Sequence, residues 1–277
     1  ILIFSMKKII YDLCASKGEN LPYYLMKSEL VIAVEANRES CNFIKKKFQK
    51  EIIEKKLVVE NCIVGETNEI NNDFYINENH LLSQYPLPNK NLLYKFKKTN
   101  LEKKDIATLF STYGQPYYVK IDLEEYDHVI LKRIFDLKIK PNYISAEAIN
   151  NDVIKLFLTD INYNSFKLIE GNSVSFLYNK FNFKNNENTI KYSFPENSAG
   201  PFGNDIMGNW INKKNFSKLM EYKKSGWRDI HASLLDPSED SDEFIKYINL
   251  EKKMEKKAKR IKRYLRFISK FKFFNHD

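Results

Sequence analysis

A short segment near the start of the chain combines an acid, a turn of small residues and a second acid. Asp12 lies near the end of a strand-like run and is followed by Cys14, Ser16 and Gly18. Glu35 lies 23 residues after Asp12, at the end of the next apolar run. Such a turn lets the backbone approach a ligand, and the second acid can accept hydrogen bonds from two ribose hydroxyls. The spacing therefore predicts a nucleoside site.

One further residue extends this predicted site. Asn37 follows Glu35 closely and could reach the base of a bound nucleoside. The alternative interpretation is an ordinary strand–turn–helix unit with a surface glutamate and no ligand.

Two carboxylates lie at the end of a later strand-like run, Tyr117–Asp122: Asp122 is its last residue and Glu124 follows two residues later. In open α/β sheets ligands bind beyond the carboxyl ends of the strands, near the point where the strand order reverses. Asp122 and Glu124 are therefore candidate catalytic residues, because a carboxylate there could take the proton of a reacting hydroxyl. The alternative is that both residues cap the next helix. Carboxylates also bind hard cations, and Glu147 could line the same edge, but nothing fixes it as a third ligand, so the sequence predicts no metal site.

The elements that must position these residues alternate along the chain. Apolar runs rich in β-branched residues alternate with segments of helical periodicity, as in Glu39–Glu54, which is typical of βαβ units and a mainly parallel sheet. Two further runs, Ser165–Ile169 and Val174–Tyr178, predict an antiparallel pair at the end of the sheet. The fold class expected is therefore α/β, with a Rossmann-like sheet, an antiparallel C-terminal strand, a C-terminal extension and a terminal helix.

Five ordered stretches resemble the FkbM-like family of S-adenosylmethionine-dependent methyltransferases. They are YDLCASKGENLPYYL, VIAVEANRESC, FYINENHLLSQ, YYVKIDLEEYD and YISAEA. The resemblance implies a class I methyltransferase fold, S-adenosylmethionine as the cofactor, and transfer to a hydroxyl of a sugar, glycan or small metabolite. It places the following residues on the donor-binding turn, on the ribose-binding acid and on the family's K-I-D-x-E motif: Asp12, Cys14, Gly18, Glu35, Asp122 and Glu124.

The chain departs from the family pattern at two positions. The family usually has glycine where Cys14 stands and commonly has glycine where Glu125 stands. Cysteine disfavours the positive φ that such turns require. An alternative function is therefore a non-catalytic Rossmann-like binding protein, tethered to a partner or a membrane by its tail. A nucleotide-dependent enzyme of another Rossmann type is disfavoured, because the turn lacks the further glycines of a dinucleotide site.

The sequence divides into three predicted parts. Residues 1–180 form the methyltransferase domain, residues 181–236 form a Gly- and aromatic-rich extension packing on it, and residues 237–277 form an acidic linker and a basic amphipathic helix. Within the extension, the loops 197–205 and 226–231 could form a lid over the sheet, with His231 as a base near neutral pH. The alternative is a structural cover on the sheet edge.

The positive charge of the chain is concentrated in its tail. Residues 249–277 carry 11 Lys or Arg and three acids, so they account for +8 of the formal +9. An apolar stripe with helical spacing predicts a basic amphipathic helix. The segment 249–274 could contact an anionic membrane surface or a partner helix. It could equally be a solvated terminal helix, and without a recognition motif no nucleic acid is expected.

Composition sets the remaining expectations. Apolar residues make up 43% of the 277, enough for a sizeable core, and no uninterrupted apolar run reaches the length of a membrane span. The three cysteines fit neither a disulfide framework nor a zinc site, so we expect a reducing, cytoplasmic location, with peripheral membrane contact as an option. Met6 is the expected start, with the first five residues as upstream sequence.

Overall fold

The computed structural model describes residues 7–66, 72–148, 151–185, 188–222 and 226–238, and parts of 249–264. Its strands are β1 (Ile9–Leu13), β2 (Leu30–Val34), β3 (Leu57–Glu60), β4 (Ile63–Val64), β5 (Asp73–Asn77), β6 (Phe96–Asn100), β7 (Lys103–Lys104), β8 (Tyr118–Ile121), β9 (Tyr143–Glu147), β10 (Ser165–Glu170), β11 (Phe181–Asn185), β12 (Asn188–Tyr192), β13 (Ile211–Asn212) and β14 (Arg228–Ser233). Its α-helices are α1 (Leu21–Lys27), α2 (Arg38–Lys47), α3 (Gln49–Ile53), α4 (Ile106–Tyr113), α5 (Asp127–Asp136), α6 (Asn151–Thr159), α7 (Val174–Leu177) and α8 (Lys213–Tyr222).

Eight of these strands form one central sheet in the order β3-β2-β1-β8-β9-β14-β10-β13. The first five strands in this order are parallel, and β14 runs antiparallel to both β9 and β10. The strand order reverses between β1 and β8, which is the point where ligands bind in open α/β sheets. The chain therefore has the predicted Rossmann-like α/β fold, with the sheet of a class I methyltransferase and an antiparallel C-terminal strand.

The antiparallel strand comes from a different segment than the sequence predicted. Ser165–Glu170 is a strand, but Val174–Tyr178 is not its partner, because Val174–Leu177 forms α7. A 3-10 turn at Gly171–Ser173 leads directly into this helix. The partner is β14, more than fifty residues later. The prediction was wrong because an apolar run with aromatic residues fits a buried helix as well as a strand.

The extension is consequently part of the sheet. Residues 181–236 supply β13 at its edge and β14 in its interior. The prediction that 226–231 forms a loop over the sheet is therefore wrong. The Gly/Pro loop 197–205 covers one face of the sheet, where the Phe202 ring stacks on Tyr118 with 4.3 Å between the ring centroids.

The strands nearest the reversal point are buried on both faces, as expected for a parallel sheet between helical layers. All five residues of β1, β2 and β9 are buried. One face packs against α4, α5, α6 and α8, and the other packs against α1, α2 and the 197–205 loop.

Two predicted elements are divided in the structure. The helix expected over Glu39–Glu54 breaks at Phe48 into α2 and α3. The apolar run Leu57–Val64, whose composition predicts a single strand, divides into β3 and β4 around Asn61. The Asn61 side chain donates hydrogen bonds to the carbonyls of Glu35 and Ala36 at 2.9 and 3.0 Å, which fixes the loop that follows β2.

The described residues of the tail are helical. Met254 and Ile261 are half-buried and the other described tail residues are exposed, as an apolar stripe requires. The other stripe positions lie outside the described residues: Leu250, Ala258, Leu265 and Ile268. No helix among the described residues is long and apolar enough to cross a bilayer. The partner expected for 249–274 stays a prediction.

Candidate active site

The turn after β1 adopts the left-handed backbone that its sequence disfavours. Cys14 has φ +69° and Ser16 has φ +51°, while Gly18, at φ +76°, is the one residue of the three that adopts this conformation freely. The N–H groups of Cys14 and Ala15 donate to the carbonyl of Val34 at 2.9 and 3.0 Å, which holds the turn against the end of β2. The position where the family has glycine thus requires a glycine-like conformation here.

Glu35 lies at the centre of this turn. One carboxylate oxygen accepts a hydrogen bond from the N–H of Ser16 and the other accepts one from the N–H of Asn37, both at 2.7 Å. The residue is only 3% exposed. Burial raises the pKa of Glu35 to about 7, although both N–H groups favour its ionised form. Each oxygen retains a lone pair, so the carboxylate could still accept ribose hydroxyls.

Asn37 has a structural role that the sequence did not predict. Its side-chain oxygen accepts hydrogen bonds from the N–H groups of Glu39 and Ser40, at 2.9 and 3.4 Å, and so caps the N-terminus of α2. The side-chain oxygen of Asn37 is therefore occupied by the helix cap, and the predicted contact of this residue with the base of a nucleoside stays a prediction.

A small, mainly apolar cavity adjoins Cys14. Its volume is about 30 Å³, whereas sites for small ligands span roughly 300–1,000 Å³. It is lined by residues from the ends of β2 and β4, from the crossover segment 72–100 and from the N-cap of α5, among them Ala36, Ile63, Tyr85 and Tyr126. A cavity of this volume is too small to hold a nucleoside in this structure.

The crossover closes over the turn through one polar contact. Ser16 Oγ lies 3.1 Å from Nδ1 of His80, in the 3-10 turn His80–Leu82. Outside this contact an open groove of about 640 Å³ runs past Lys17, Asn37 and Tyr94.

A buried lysine links the donor turn to β8. Nζ of Lys120 lies 3.3 Å from Asp12, 3.1 Å from Asp122 and 3.3 Å from the carbonyl oxygen of Cys14. Asp12 is completely buried inside β1, beneath the turn, and pairs with Lys120 in register. Asp12 therefore supports the turn from below and is not exposed to a ligand. Lys120 is the first residue of the K-I-D-x-E motif, and the sequence alone indicates no role for it.

Carboxylates gather at the ends of β8 and β9. Asp122, Glu124 and Glu147 each present an oxygen within 4.8 Å of the others. Burial, followed by the charge of Asp122, raises the pKa of Glu124 to about 8 and that of Glu147 to about 9. The sequence placed Glu147 at this edge without fixing it as a third metal ligand, and in the structure its carboxylate lies beside the other two.

Helix capping does not explain this cluster. Helix α5 has Tyr126 at its N-cap, so neither Asp122 nor Glu124 holds that position. The carboxylate of Asp127 instead accepts the N–H groups of Leu123 and Glu147, at 3.1 and 3.3 Å. Burial raises the pKa of Asp127 to about 7.

The turn that carries Glu124 is itself strained. Glu124 has φ +45° and Glu125 has φ +68°. Glu125 is the second position where the family commonly has glycine, and again the backbone is left-handed. Both departures from the family pattern thus fall on turns that border the proposed site.

The structure does not bring His231 to this cluster. His231 lies in the interior of the sheet, opposite Ser145 of β9, and is 1% exposed. Burial and the charge of Lys167 lower its pKa to about 3. A buried imidazole with a lowered pKa is a weak base, so this position does not favour the predicted role of His231 as a base near neutral pH. Asp229, two residues earlier, lies opposite Glu147 at the end of the sheet.

Comparisons with known proteins find similarity only at the level of solved structures. No protein-family model matches the chain, and no curated protein matches it. The precorrin-6Y C5,15-methyltransferase of Geobacter metallireducens GS-15 is 12% identical with a TM-score of 0.37, over 82% of this chain and 80% of that one. The C-terminal domain of the Rhodobacter capsulatus enzyme of that name is 10% identical with a TM-score of 0.38, over 84% and 82%. A precorrin 8W decarboxylase from Methanobacterium thermoautotrophicum is 10% identical with a TM-score of 0.35, over 82% and 81%. Likeness of this size establishes neither a family nor an activity.

Proposed function

We propose that this protein is an S-adenosylmethionine-dependent methyltransferase that acts on a hydroxyl group. The observation that carries the proposal is the placement of Glu35 and Asp122 on the two sides of the reversal point in the sheet. One acid borders a strained turn suited to a nucleoside, and the other lies at the end of the neighbouring strand. The antiparallel strand β14 within the sheet also agrees with a methyltransferase fold, whose sheet ends in an antiparallel strand.

Each acid has a separate role in this proposal. Glu35 accepts hydrogen bonds from the ribose hydroxyls of the donor. The donor supplies an electrophilic methyl group on a sulfonium. Asp122 accepts the proton of the acceptor hydroxyl as the methyl–oxygen bond forms and the methyl–sulfur bond breaks. In-line placement of the two substrates supplies much of the rate. A sugar, glycan or small metabolite as the acceptor, the FkbM-like family and a cytoplasmic location rest on the sequence alone.

Donor binding tests the proposal directly. We expect calorimetry to detect micromolar binding of S-adenosylmethionine and its demethylated product, and Glu35→Ala to abolish it. Glu221→Ala, on the exposed side of α8, is the matched control and should bind as the unaltered protein does. If the folded protein binds neither compound, the enzyme proposal fails and the non-catalytic alternative takes its place.

The raised pKa of Glu35 makes nucleoside binding depend on pH. Only the ionised carboxylate accepts both ribose hydroxyls, so affinity should rise with pH and level off above about 7. For a pKa of about 7, the ionised fraction increases about tenfold between pH 6 and pH 8, and so should the association constant. The probe is 5′-methylthioadenosine, which carries the ribose and lacks the titrating amino group of the donor. Glu35→Gln should bind weakly with no such pH dependence, and a flat profile for the unaltered protein would contradict the assignment.

Cys14 restricts the same site. We expect Cys14→Gly to strengthen donor binding and to raise the free energy of unfolding by about 1 kcal/mol, because glycine adopts the left-handed backbone without strain. Cys14→Ala is the matched control, since it removes the sulfur from the cavity wall and keeps the strained Cβ. Calorimetry and urea denaturation of both variants separate the two effects. Unchanged affinity and unchanged stability in Cys14→Gly would show that the turn is not strained by cysteine.

A further inference from the structure

The carboxylate cluster extends beyond the three residues at the ends of β8 and β9. Asp229 lies directly opposite Glu147 in the antiparallel pair of β14 and β9, and residues directly opposite each other point to the same face of a sheet. Asp122 follows the last paired residue of β8, which is opposite Ala146, and so reaches the level of Glu147. Three adjacent strands thus place carboxylates at the same end of the sheet, with Asp229 beside the three whose oxygens lie within 4.8 Å of one another.

Asp229 provides an observation independent of the cluster. It is 4% exposed, and its Oδ1 atom has no hydrogen-bond partner among the described residues. Asp122 is the group whose charge acts on it most strongly. A buried carboxylate oxygen without a partner costs free energy unless a proton or a cation satisfies it.

Among the described residues, the nearby cations offset this charge only in part. Lys120 is the lysine at the cluster, and it is already shared between Asp12 and Asp122. The neighbouring Arg228 pairs with Glu170, at 2.7 Å. The cluster therefore retains an excess of carboxylates.

The geometry suits a single ion. Oxygen ligands of Mg²⁺ lie about 2.0–2.1 Å from the metal and those of Ca²⁺ about 2.3–2.6 Å, so opposite ligands of one ion are separated by roughly 4–5 Å. The oxygens of Asp122, Glu124 and Glu147 already lie within 4.8 Å of one another. Small side-chain rotations would complete a site for a hard divalent cation.

We propose that Asp122, Glu124, Glu147 and Asp229 form a binding site for one divalent cation of the Mg²⁺, Mn²⁺ or Ca²⁺ class. The ion would satisfy the orphaned oxygen of Asp229 and offset the charge of its neighbours. Its place in the reaction rests on the proposed function: bound beside the reversal point, it would orient the oxygen atoms of the acceptor and favour loss of the hydroxyl proton.

Titration of the whole chain, stripped of metal by a chelator, tests the site. Calorimetry with MnCl₂ should show saturable binding of one ion. Glu147→Gln and Asp229→Asn keep the side-chain size, and each should weaken Mn²⁺ binding at least tenfold. Asp73→Asn, at the start of β5 in the separate two-stranded sheet of β5 and β6, is the matched control and should leave Mn²⁺ affinity unchanged.

If a variant binds no Mn²⁺, thermal unfolding distinguishes the loss of the metal site from a failure to fold. Metal-free Glu147→Gln and Asp229→Asn should melt at or above the temperature of the unaltered protein, because each replaces a buried carboxyl group with a neutral amide of nearly the same size. Added Mn²⁺ should raise the melting temperature of the unaltered protein and of Asp73→Asn, and not that of the two site variants.

Two outcomes would overturn the proposal: no saturable binding of Mn²⁺, Mg²⁺ or Ca²⁺ by the folded protein, or binding that both site variants retain. The measurement needs no methyl donor, so a failure of metal binding is separate from a failure of donor binding.

Discussion

Replacing Lys120 with methionine is expected to lower the free energy of unfolding by about 3–5 kcal/mol, because it leaves the buried Asp12 carboxylate without its ion-pair partner. Asp12 is fully buried in the central strand, and its ion-pair partner is the Lys120 ammonium at 3.3 Å. Burial raises the pKa of Asp12 and the lysine opposes that shift. Without the lysine, folding must bury either an unpaired carboxylate or a carboxyl group that has taken up a proton.

Urea denaturation of a double-mutant cycle measures this effect. Lys120→Met combined with Asp12→Asn should recover much of the lost stability, because no charge is then left unpaired. Lys132→Met is the matched control: this lysine is 62% exposed and pairs with Asp136, and its loss should change stability by no more than about 0.5 kcal/mol. A Lys120→Met variant as stable as this control would show that the buried pair contributes little.

The lysine also connects stability to the proposed donor site. Its Nζ donates to the carbonyl of Cys14, the residue at which the turn becomes left-handed. Lys120→Met should therefore weaken donor binding as well, even at temperatures where the variant stays folded. The two readouts share a cause, because one ammonium group holds both the turn and the end of β8.

Local signals explain which parts of the fold could be predicted. The parallel strands β1, β2, β8 and β9 are short apolar runs bounded by charge or turn residues, a pattern that predicts strands within one or two residues of the observed bounds. The position of Glu35 followed from the same pattern. These features depend on neighbours in sequence, which a single sequence displays.

Features that depend on distant contacts were missed. Strand β14 pairs with residues about eighty positions earlier, and nothing local in an aromatic-rich segment indicates that partner. One signal was present: Asp229, His231 and Ser233 alternate with the apolar Ile230 and Ala232, which is the period of a strand. Applying that pattern would have placed Asp229 at the end of the sheet and His231 inside it.

Lys120 was missed for a different physical reason. Lysine is among the residues least often buried, so its place within the motif gave no reason to expect an internal ion pair. The register between β1 and β8 places it beside Asp12, and that register is a tertiary property. The same contact explains why Asp12, predicted to bind the donor, supports the turn instead.

Phe202→Ala is expected to lower the free energy of unfolding by about 3–5 kcal/mol, the usual cost of removing a buried phenylalanine. Phe202 is 3% exposed and packs against an aromatic group drawn from β8, β9 and α1. Its ring stacks on Tyr118, and its edge contacts involve Tyr23, Tyr24, Tyr117 and Tyr143.

The same variant tests whether the extension folds with the rest of the chain. Because residues 181–236 supply β14 to the sheet interior, we expect a single cooperative transition that Phe202→Ala shifts as a whole. Phe43→Ala, on the surface of α2 with 47% of the residue exposed, is the matched control and should change stability by less than about 1 kcal/mol. A second transition that Phe202→Ala alone moves would mean that 181–236 unfolds independently. That result would also remove Asp229 from any site that depends on a stable sheet.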